Sequence, residues 1–159
     1  MTLRLAHTAI CVPDVDAATA WYADVLGLRV LSPPYLMDGR SIAEDMGELL
    51  PPPPAVKAAI LGNDDTDHVL ELVEYPNAPP VTEADSRRFT DVGISHVGLF
   101  CDDITATRQA LEDNGVTFLT TGVADIAGLR TAWFTDPWGT VFILVQKRKR
   151  PDHPYWQQY

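Results

Sequence analysis

The stretch Ile94-Ser-His-Val-Gly-Leu-Phe-Cys-Asp-Asp103 decides how this chain folds. Its apolar residues, followed by two aspartates, predict a strand that runs into the cap of a helix. A similar stretch, Leu5-Ala-His-Thr-Ala-Ile-Cys-Val-Pro-Asp14, stands near the amino terminus. His96 and His7 occupy equivalent places in the two stretches. Two histidines at matching positions of a repeated unit make a metal site the first hypothesis.

The repeat continues to the end of each half. When His7 is aligned with His96, Asp14 falls on Asp103, so the predicted helix caps also match. The last strands align separately, with the segment 70–72 on the segment 142–144. Each half then reads as one strand, one helix and three further strands. The predicted fold class is therefore α+β, with two tandem βαβββ modules.

The order of these patterns predicts how the chain is divided. Pro33-Pro34 predicts the end of the second strand, because proline lacks the backbone donor that a central strand needs. A further predicted strand, 116–121, is followed by a glycine-containing loop. The long proline-rich insertion either covers a ligand cleft or is structural padding. The predicted division is a first module over 1–76 with an insertion at 33–55, a linker over 77–93, a second module over 94–147 and a tail over 148–159.

Composition and charge restrict the partners that we expect. The chain has 159 residues and a formal net charge of −10. Such a charge repels nucleic acid and anionic membrane, so neither is an expected partner. No apolar run approaches the ~20 residues of a membrane span, and a secretory signal pattern is not recognisable. We therefore expect a cytoplasmic protein that acts on a small molecule.

Three side chains in the predicted strands could hold a metal. Glu71 stands between apolar neighbours, where a carboxylate is costly unless it is exposed, paired or bound to a cation. Together with His7 and His96 it gives two imidazoles and one carboxylate from three strands. That set suits a divalent first-row metal with open positions for water or substrate. A lone strand histidine is more often a satisfied or surface side chain, and a lone Glu71 more often faces solvent. It is the repeat that favours the metal site.

Several motifs, in this order, resemble the vicinal oxygen chelate superfamily over residues 3 to about 147. That superfamily includes glyoxalase I, methylmalonyl-CoA epimerase, extradiol dioxygenases and the fosfomycin and bleomycin resistance proteins. The resemblance implies that the two modules form incomplete β-barrels around a shared cleft, and that the protein is a homodimer. The motifs are His7–Val12 with Pro13-Asp14, Trp21–Gly27, Ile94–Gly98 with Asp102-Asp103, and Asp136-Pro-Trp-Gly139.

The resemblance also implies a ligand set. It implies that a divalent metal, one of Fe, Zn, Mn, Ni or Co, is held by His7, Glu71 and His96. Glu71 is the candidate catalytic base, although another group could act in its place. The fourth ligand position usually carries glutamate in this superfamily, and here it falls on Ile143. Isoleucine can neither bind a metal nor move a proton. The chain therefore departs from the superfamily's pattern at this one position.

Three functions remain open at this point. The first is a glyoxalase-like isomerase or lyase that acts through an enolate on an oxygen-chelating substrate. The second is a non-haem Fe(II) extradiol-type dioxygenase. The third is a metal-free ligand-binding protein of the resistance type, which the Ile143 departure motivates. Candidate pocket residues beyond the ligands are Tyr35, Met37, Arg40, Phe100 and Trp133.

Overall fold

The computed structural model describes residue 3 and residues 5–63, 68–78, 88–126 and 128–147. The chain divides into two compact units, Met1–Thr82 and Glu83–Tyr159. Residues 79–87 of the predicted linker and the whole predicted tail lie outside the described residues.

The first unit carries a four-stranded sheet in the order β1-β4-β3-β2. β1 runs parallel to β4, whereas β3 is antiparallel to both of its neighbours. α2 lies within the predicted insertion. The elements are β1 His7–Cys11, α1 Val15–Asp24, β2 Arg29–Met37, α2 Gly39–Met46, β3 Val56–Gly62 and β4 Val69–Glu74.

The second unit repeats this arrangement, and the part of it that the structure describes includes no equivalent of α2. Its sheet has the order β5-β8-β7-β6, with β5 parallel to β8. The predicted α+β fold with two βαβββ modules is thus confirmed. None of the described helices has the length and apolar character needed to cross a lipid bilayer. The elements are β5 Val97–Phe100, α3 Ile104–Asp113, β6 Ala124–Ile126, β7 Leu129–Thr135 and β8 Val141–Lys147.

The strand registers show how the two repeats correspond. Ala9 pairs with Glu71 between β1 and β4, and Gly98 pairs with Ile143 between β5 and β8. The alignment read from the sequence is therefore also the structural one. Ile143 occupies in the second sheet the place that Glu71 occupies in the first.

One face of each sheet is covered by the helix of its own unit. The α1 side chains that face the first sheet are Val15, Ala18 and Tyr22, and all three are fully buried. Because side chains alternate along a strand, the opposite face of each sheet points away from the helix. We call that opposite side the open face. The sheet residues buried on the helix-covered faces include Ala59, Leu61 and Leu72 in the first unit and Ala132, Phe134 and Phe142 in the second.

The start of each helix is tied down twice. Asp14 caps α1 by accepting from the backbone of Ala17, and Asp103 caps α3 in the same way. In addition, Glu74 Oε2 at the end of β4 accepts from the backbone N–H of Val15 at 2.9 Å. A helix leaves its first four N–H groups without intrahelical partners, so each acceptor satisfies a donor that would otherwise lose hydrogen bonding on burial.

The second unit has the same tie with a different side chain. Gln146 Oε1 at the end of β8 accepts from the backbone N–H of Ile104 at 3.1 Å. Glutamate and glutamine therefore serve the same structural purpose in the two repeats. The sequence offered no reason to separate Glu74 from an ordinary solvent-facing carboxylate.

The predicted end of the second strand at Pro33-Pro34 is wrong. β2 continues through both prolines to Met37, so residues 33–37 belong to the sheet rather than to the insertion. β2 is the edge strand, and its register with β3 shifts twice, between Val30 and Ser32 and again between Ser32 and Tyr35. Proline is tolerated at edges and bulges because its missing donor faces no partner there.

The predicted strand over 116–121 is also wrong. The segment makes one isolated bridge, between Phe118 and Phe134. The backbone N–H of Trp133 then donates to the Thr120 hydroxyl at 3.2 Å instead of to a backbone carbonyl. The hydroxyl takes the place of a backbone acceptor, and the backbone pairing ends there. The strand that does form, β6, lies in the predicted loop.

Glu74→Ala should lower the free energy of unfolding by about 1–2 kcal/mol, because it removes the acceptor for Val15. Glu74→Gln is the matched control, since Gln146 shows that an amide oxygen performs the same task. Urea unfolding of both variants measures the effect. An equal loss in the two variants would mean that the charge of Glu74, and not its hydrogen bond, stabilises the unit.

Candidate metal centre

The first unit brings two of the three predicted ligands together. His7 Nε2 lies 3.3 Å from Glu71 Oε2. The two side chains come from adjacent parallel strands, with His7 opposite Val69 and therefore two residues before the level of Glu71. Both lie on the open face. The side chain of His7 is 51% exposed and that of Glu71 is 24% exposed, so a ligand can reach the pair.

Part of the same open face is covered by the insertion. Val73 and Ala58 pair across β4 and β3 and pack with Ile42 of α2 in a buried apolar cluster. Glu71 lies two residues before Val73 on the same face of β4. The insertion thus bounds the site on one side with an apolar wall. The partly buried members of this cluster are Met37, Met46, Leu50 and Tyr75.

Tyr75 is a polar group that sequence reasoning missed. It follows β4 on the same side as Glu71 and Val73 and packs against the insertion's apolar cluster. Desolvation raises the pKa of the Tyr75 phenol, and the charges of Cys11 and Glu71 raise it further. A phenol with a raised pKa stays protonated at neutral pH, so Tyr75 offers a hydroxyl donor near Glu71. The sequence signal that could have pointed to Tyr75 is its spacing from Glu71. Residues separated by an even number of positions lie on the same face of a strand.

The third predicted ligand, His96, lies in the second unit, just before β5. Its Nδ1 is 2.7 Å from the Ser95 hydroxyl oxygen, which leaves Nε2 as the nitrogen for a ligand. Its ring is stacked on Phe89 at 6.1 Å between centroids and meets Trp133 edge-on at 4.8 Å. These contacts fix the ring plane. Phe89 belongs to the predicted linker, where composition gave no reason to expect a contact with His96.

The surroundings of Ile143 are apolar. Ile143 pairs with Gly98 on one side and with Trp133 on the other. Trp133 in turn contacts His96, so the candidate pocket residue Trp133 does lie beside a predicted ligand. The open face of the second sheet therefore presents aromatic and aliphatic groups around one imidazole.

The chain was compared with known protein families. The model of the Glyoxalase/Bleomycin resistance protein/Dioxygenase superfamily matches residues 4–144. The chain belongs to this superfamily. The resemblance read from the motifs is thereby confirmed over nearly the same residues. A search of curated proteins returned no match.

Solved structures of other superfamily members share the fold. A glyoxalase family protein from Bacillus cereus is 17% identical, with a TM-score of 0.78 over 94% of this chain and 97% of its own. The trypanothione-dependent glyoxalase I of Leishmania major is 21% identical, with a TM-score of 0.61 over 91% and 87%. TnmS3, an antibiotic-binding protein from a Streptomyces species, is 21% identical, with a TM-score of 0.59 over 92% and 97%. At these identities the likeness establishes the fold alone.

The donor atoms that the first unit presents are of the kind that bind a divalent metal. His7 and Glu71 supply one neutral nitrogen and one carboxylate oxygen from a single face, a combination that suits first-row divalent metals. Among the described residues there is no group of three or more His, Cys, Asp or Glu side chains that could hold a metal. The pair in the first unit thus supplies two donors of the kind that such a metal takes.

The two cysteines of this superfamily member should react slowly with alkylating agents near neutral pH. Desolvation raises the pKa of both thiols, so less of the reactive thiolate is present than in a free cysteine. Cys11, which is exposed, should still react faster than the half-buried Cys101. Rates measured on Cys11→Ser and Cys101→Ser across the alkaline range check this. A Cys11 thiol faster than free cysteine at neutral pH would contradict the prediction.

Proposed function

We propose that this superfamily member is a glyoxalase-like, metal-dependent enzyme that works as a cytoplasmic homodimer on a small oxygen-chelating substrate. The reaction would be an isomerisation or elimination that passes through an enolate. The observation that carries the proposal is the contact between His7 Nε2 and Glu71 Oε2 on an accessible sheet face of the superfamily fold.

The proposed ligands are His7, Glu71 and His96. A bound divalent metal, one of Fe, Zn, Mn, Ni or Co, would supply Lewis-acid polarisation of the substrate oxygens. His7 binds through Nε2, the nitrogen that now faces Glu71, and this requires the neutral imidazole. His96 binds through Nε2, because the Ser95 hydroxyl holds its Nδ1 and sets the orientation of the ring.

Glu71 is the proposed proton carrier. Its carboxylate would take a proton from the carbon that bears the substrate hydroxyl and return it to the adjacent carbonyl carbon. The hydroxyl proton would pass to the former carbonyl oxygen, which completes an isomerisation. Ile143, at the equivalent place of the second unit, cannot share this task. Tyr75 supplies a protonated hydroxyl on the same side of β4 and can donate to a developing oxyanion. One carboxylate thus carries both the metal-binding and the proton-transfer roles.

His7→Ala should remove the metal from protein purified from metal-supplemented medium, because it deletes one of three proposed donors. His68→Asn is the matched control. His68 is an exposed histidine before β4 with a left-handed backbone (φ 74°), which asparagine tolerates. Elemental analysis measures the metal content per chain of both variants. Metal-free wild-type protein, or equal metal in His7→Ala, would sink the proposal.

For a substrate that the enzyme converts, Glu71→Gln should lower kcat by about 10²–10⁴-fold. This is the range of rate enhancement that a general acid–base group contributes. Glu74→Gln is the control, because Glu74 lies three residues along the same strand but serves the start of α1. Steady-state kinetics with a panel of α-hydroxy ketones and hemithioacetals provide the measurement. A Glu71→Gln enzyme with normal kcat would exclude Glu71 as the base.

A ligand-binding protein without catalysis is the second candidate. The observation that favours it is Ile143, which replaces a carboxylate with an apolar side chain among aromatic neighbours. Tight ligand binding that survives chelator treatment, without turnover, would support this candidate over the enzyme. Oxygen uptake by iron-loaded protein with catechols would instead support the extradiol dioxygenase.

A further inference from the structure

The imidazole of His96 lies at the surface, where a histidine ring is ordinarily mobile. His96 is exposed and stands just before the first residue of β5. The outer torsion of a histidine side chain has broad minima, so its rotamer alone does not fix the ring. Exposed side chains change rotamer within picoseconds to nanoseconds. A ring that binds a ligand through one nitrogen therefore benefits from contacts that hold it in place.

Two aromatic rings supply such contacts to His96. The Phe89 ring is stacked on the imidazole, with 6.1 Å between centroids and 17° between planes. The Trp133 ring meets the imidazole edge-on at 4.8 Å, and it also contacts Phe89 edge-on at 5.4 Å. All three distances lie in the range of about 4.5–7 Å in which aromatic pairs attract each other. A rotation of the imidazole out of its plane would break both of its ring contacts.

Trp133 is held in place by the sheet and by the segment before β6. It pairs with Ile143 of β8. Its backbone carbonyl accepts from the N–H of Leu119 at 2.7 Å, and its own N–H donates to the Thr120 hydroxyl at 3.2 Å. The position of Trp133 thus follows from the fold of the second unit, whereas Phe89 belongs to the predicted linker.

A closed turn holds Phe89 against His96. The N–H of Asp91 donates to the carbonyl of Arg88 at 3.0 Å, which is the hydrogen bond of a β-turn. The Asp91 carboxylate in addition accepts from the Arg88 backbone N–H at 2.9 Å and from Arg88 Nε at 3.0 Å. Three hydrogen bonds therefore join the two ends of the turn. Phe89 is its second residue, so closure of the turn restricts where the phenyl ring lies.

We propose that Phe89 is a positioning residue, which the Arg88–Asp91 turn holds against the imidazole of His96 so that Nε2 stays available to a ligand in one orientation. The use of Nε2 for a metal rests on the proposed function, whereas the restraint on the ring does not. The predicted linker is then part of the site, because a change in its turn alters the order of His96 without altering a ligand residue.

Proton NMR of the metal-free protein tests the restraint directly. Phe89→Leu removes the ring but keeps an apolar side chain, and Phe89→Tyr keeps the ring as the rescue variant. The carbon-bound ring protons of His96, assigned with a His96→Asn variant, should lose the ring-current shift due to Phe89 in Phe89→Leu and keep it in Phe89→Tyr. Val92→Ser is the matched control, because Val92 lies in the same segment with a relative exposure of 104%. It should leave the His96 signals unchanged.

Calorimetric titration with Zn²⁺ measures the consequence for a ligand. Phe89→Leu should weaken Zn²⁺ binding by about two- to tenfold, the factor that corresponds to ordering one side chain on binding. Asp91→Ala opens the turn without removing a ring, and it should weaken binding in the same direction. Phe89→Tyr and Val92→Ser should bind Zn²⁺ as wild-type protein does. The thermal unfolding midpoint of each variant is measured alongside.

Unchanged His96 signals in Phe89→Leu overturn the proposal. A lower unfolding midpoint of Asp91→Ala with unchanged His96 signals also overturns it and makes the turn purely structural. If the signals move while a measurable Zn²⁺ affinity does not, the restraint has no consequence for a ligand and the proposal falls.

The same measurements separate this proposal from the proposed function. If the His96 signals respond to Phe89→Leu and Asp91→Ala but wild-type protein binds no Zn²⁺ or other first-row metal, Phe89 positions His96 and the metalloenzyme falls. If wild-type protein binds Zn²⁺ and Phe89→Leu changes neither the affinity nor the signals, the metalloenzyme stands and the positioning role of Phe89 falls.

Discussion

Parallel pairing between the first and last strands of each unit is the constraint on which the site depends. β1 and β4 are separated by most of the first unit in sequence, yet their register brings His7 and Glu71 onto one face. A parallel pair needs a long crossover connection, and here α1, β2, the insertion and β3 provide it. The contact between the imidazole and the carboxylate therefore exists only because the whole unit is folded.

The two repeats use similar residues on the helix-covered side of the sheet and different residues on the open face. On the helix-covered side, Glu74 and Gln146 both accept from the first residue of a helix, and Asp14 and Asp103 both cap it. The reason is that buried helix N–H groups must have acceptors in both units. Any acceptor oxygen suffices, which is why an amide can stand where the other repeat has a carboxylate.

The open face carries no such requirement, and there the repeats differ in chemistry. The first unit presents Glu71 beside Ala9, whereas the second presents Ile143 beside Gly98. One face thus offers a nitrogen and a carboxylate for a cation, and the other offers an apolar surface around the oriented imidazole of His96. The two units therefore differ in the polarity of their open faces. The insertion adds an apolar wall next to Glu71 that has no counterpart among the described residues of the second unit.

The sequence by itself determined the repeat, the order of strands and helices, both helix caps and the superfamily, because these depend on local patterns and on residues of fixed spacing. Gly27 and Gly115, which follow α1 and α3, both have a left-handed backbone. Only the tertiary structure decided that Pro33-Pro34 lies within a strand and that the Thr120 hydroxyl ends a pairing. It also decided that Phe89 stacks on His96 and that Tyr75 lies near Glu71. The physical reason is the same in each case. Whether a strand is at an edge, which donor faces which acceptor, and which ring touches which imidazole are properties of pairing between distant segments, and they leave no mark in local sequence.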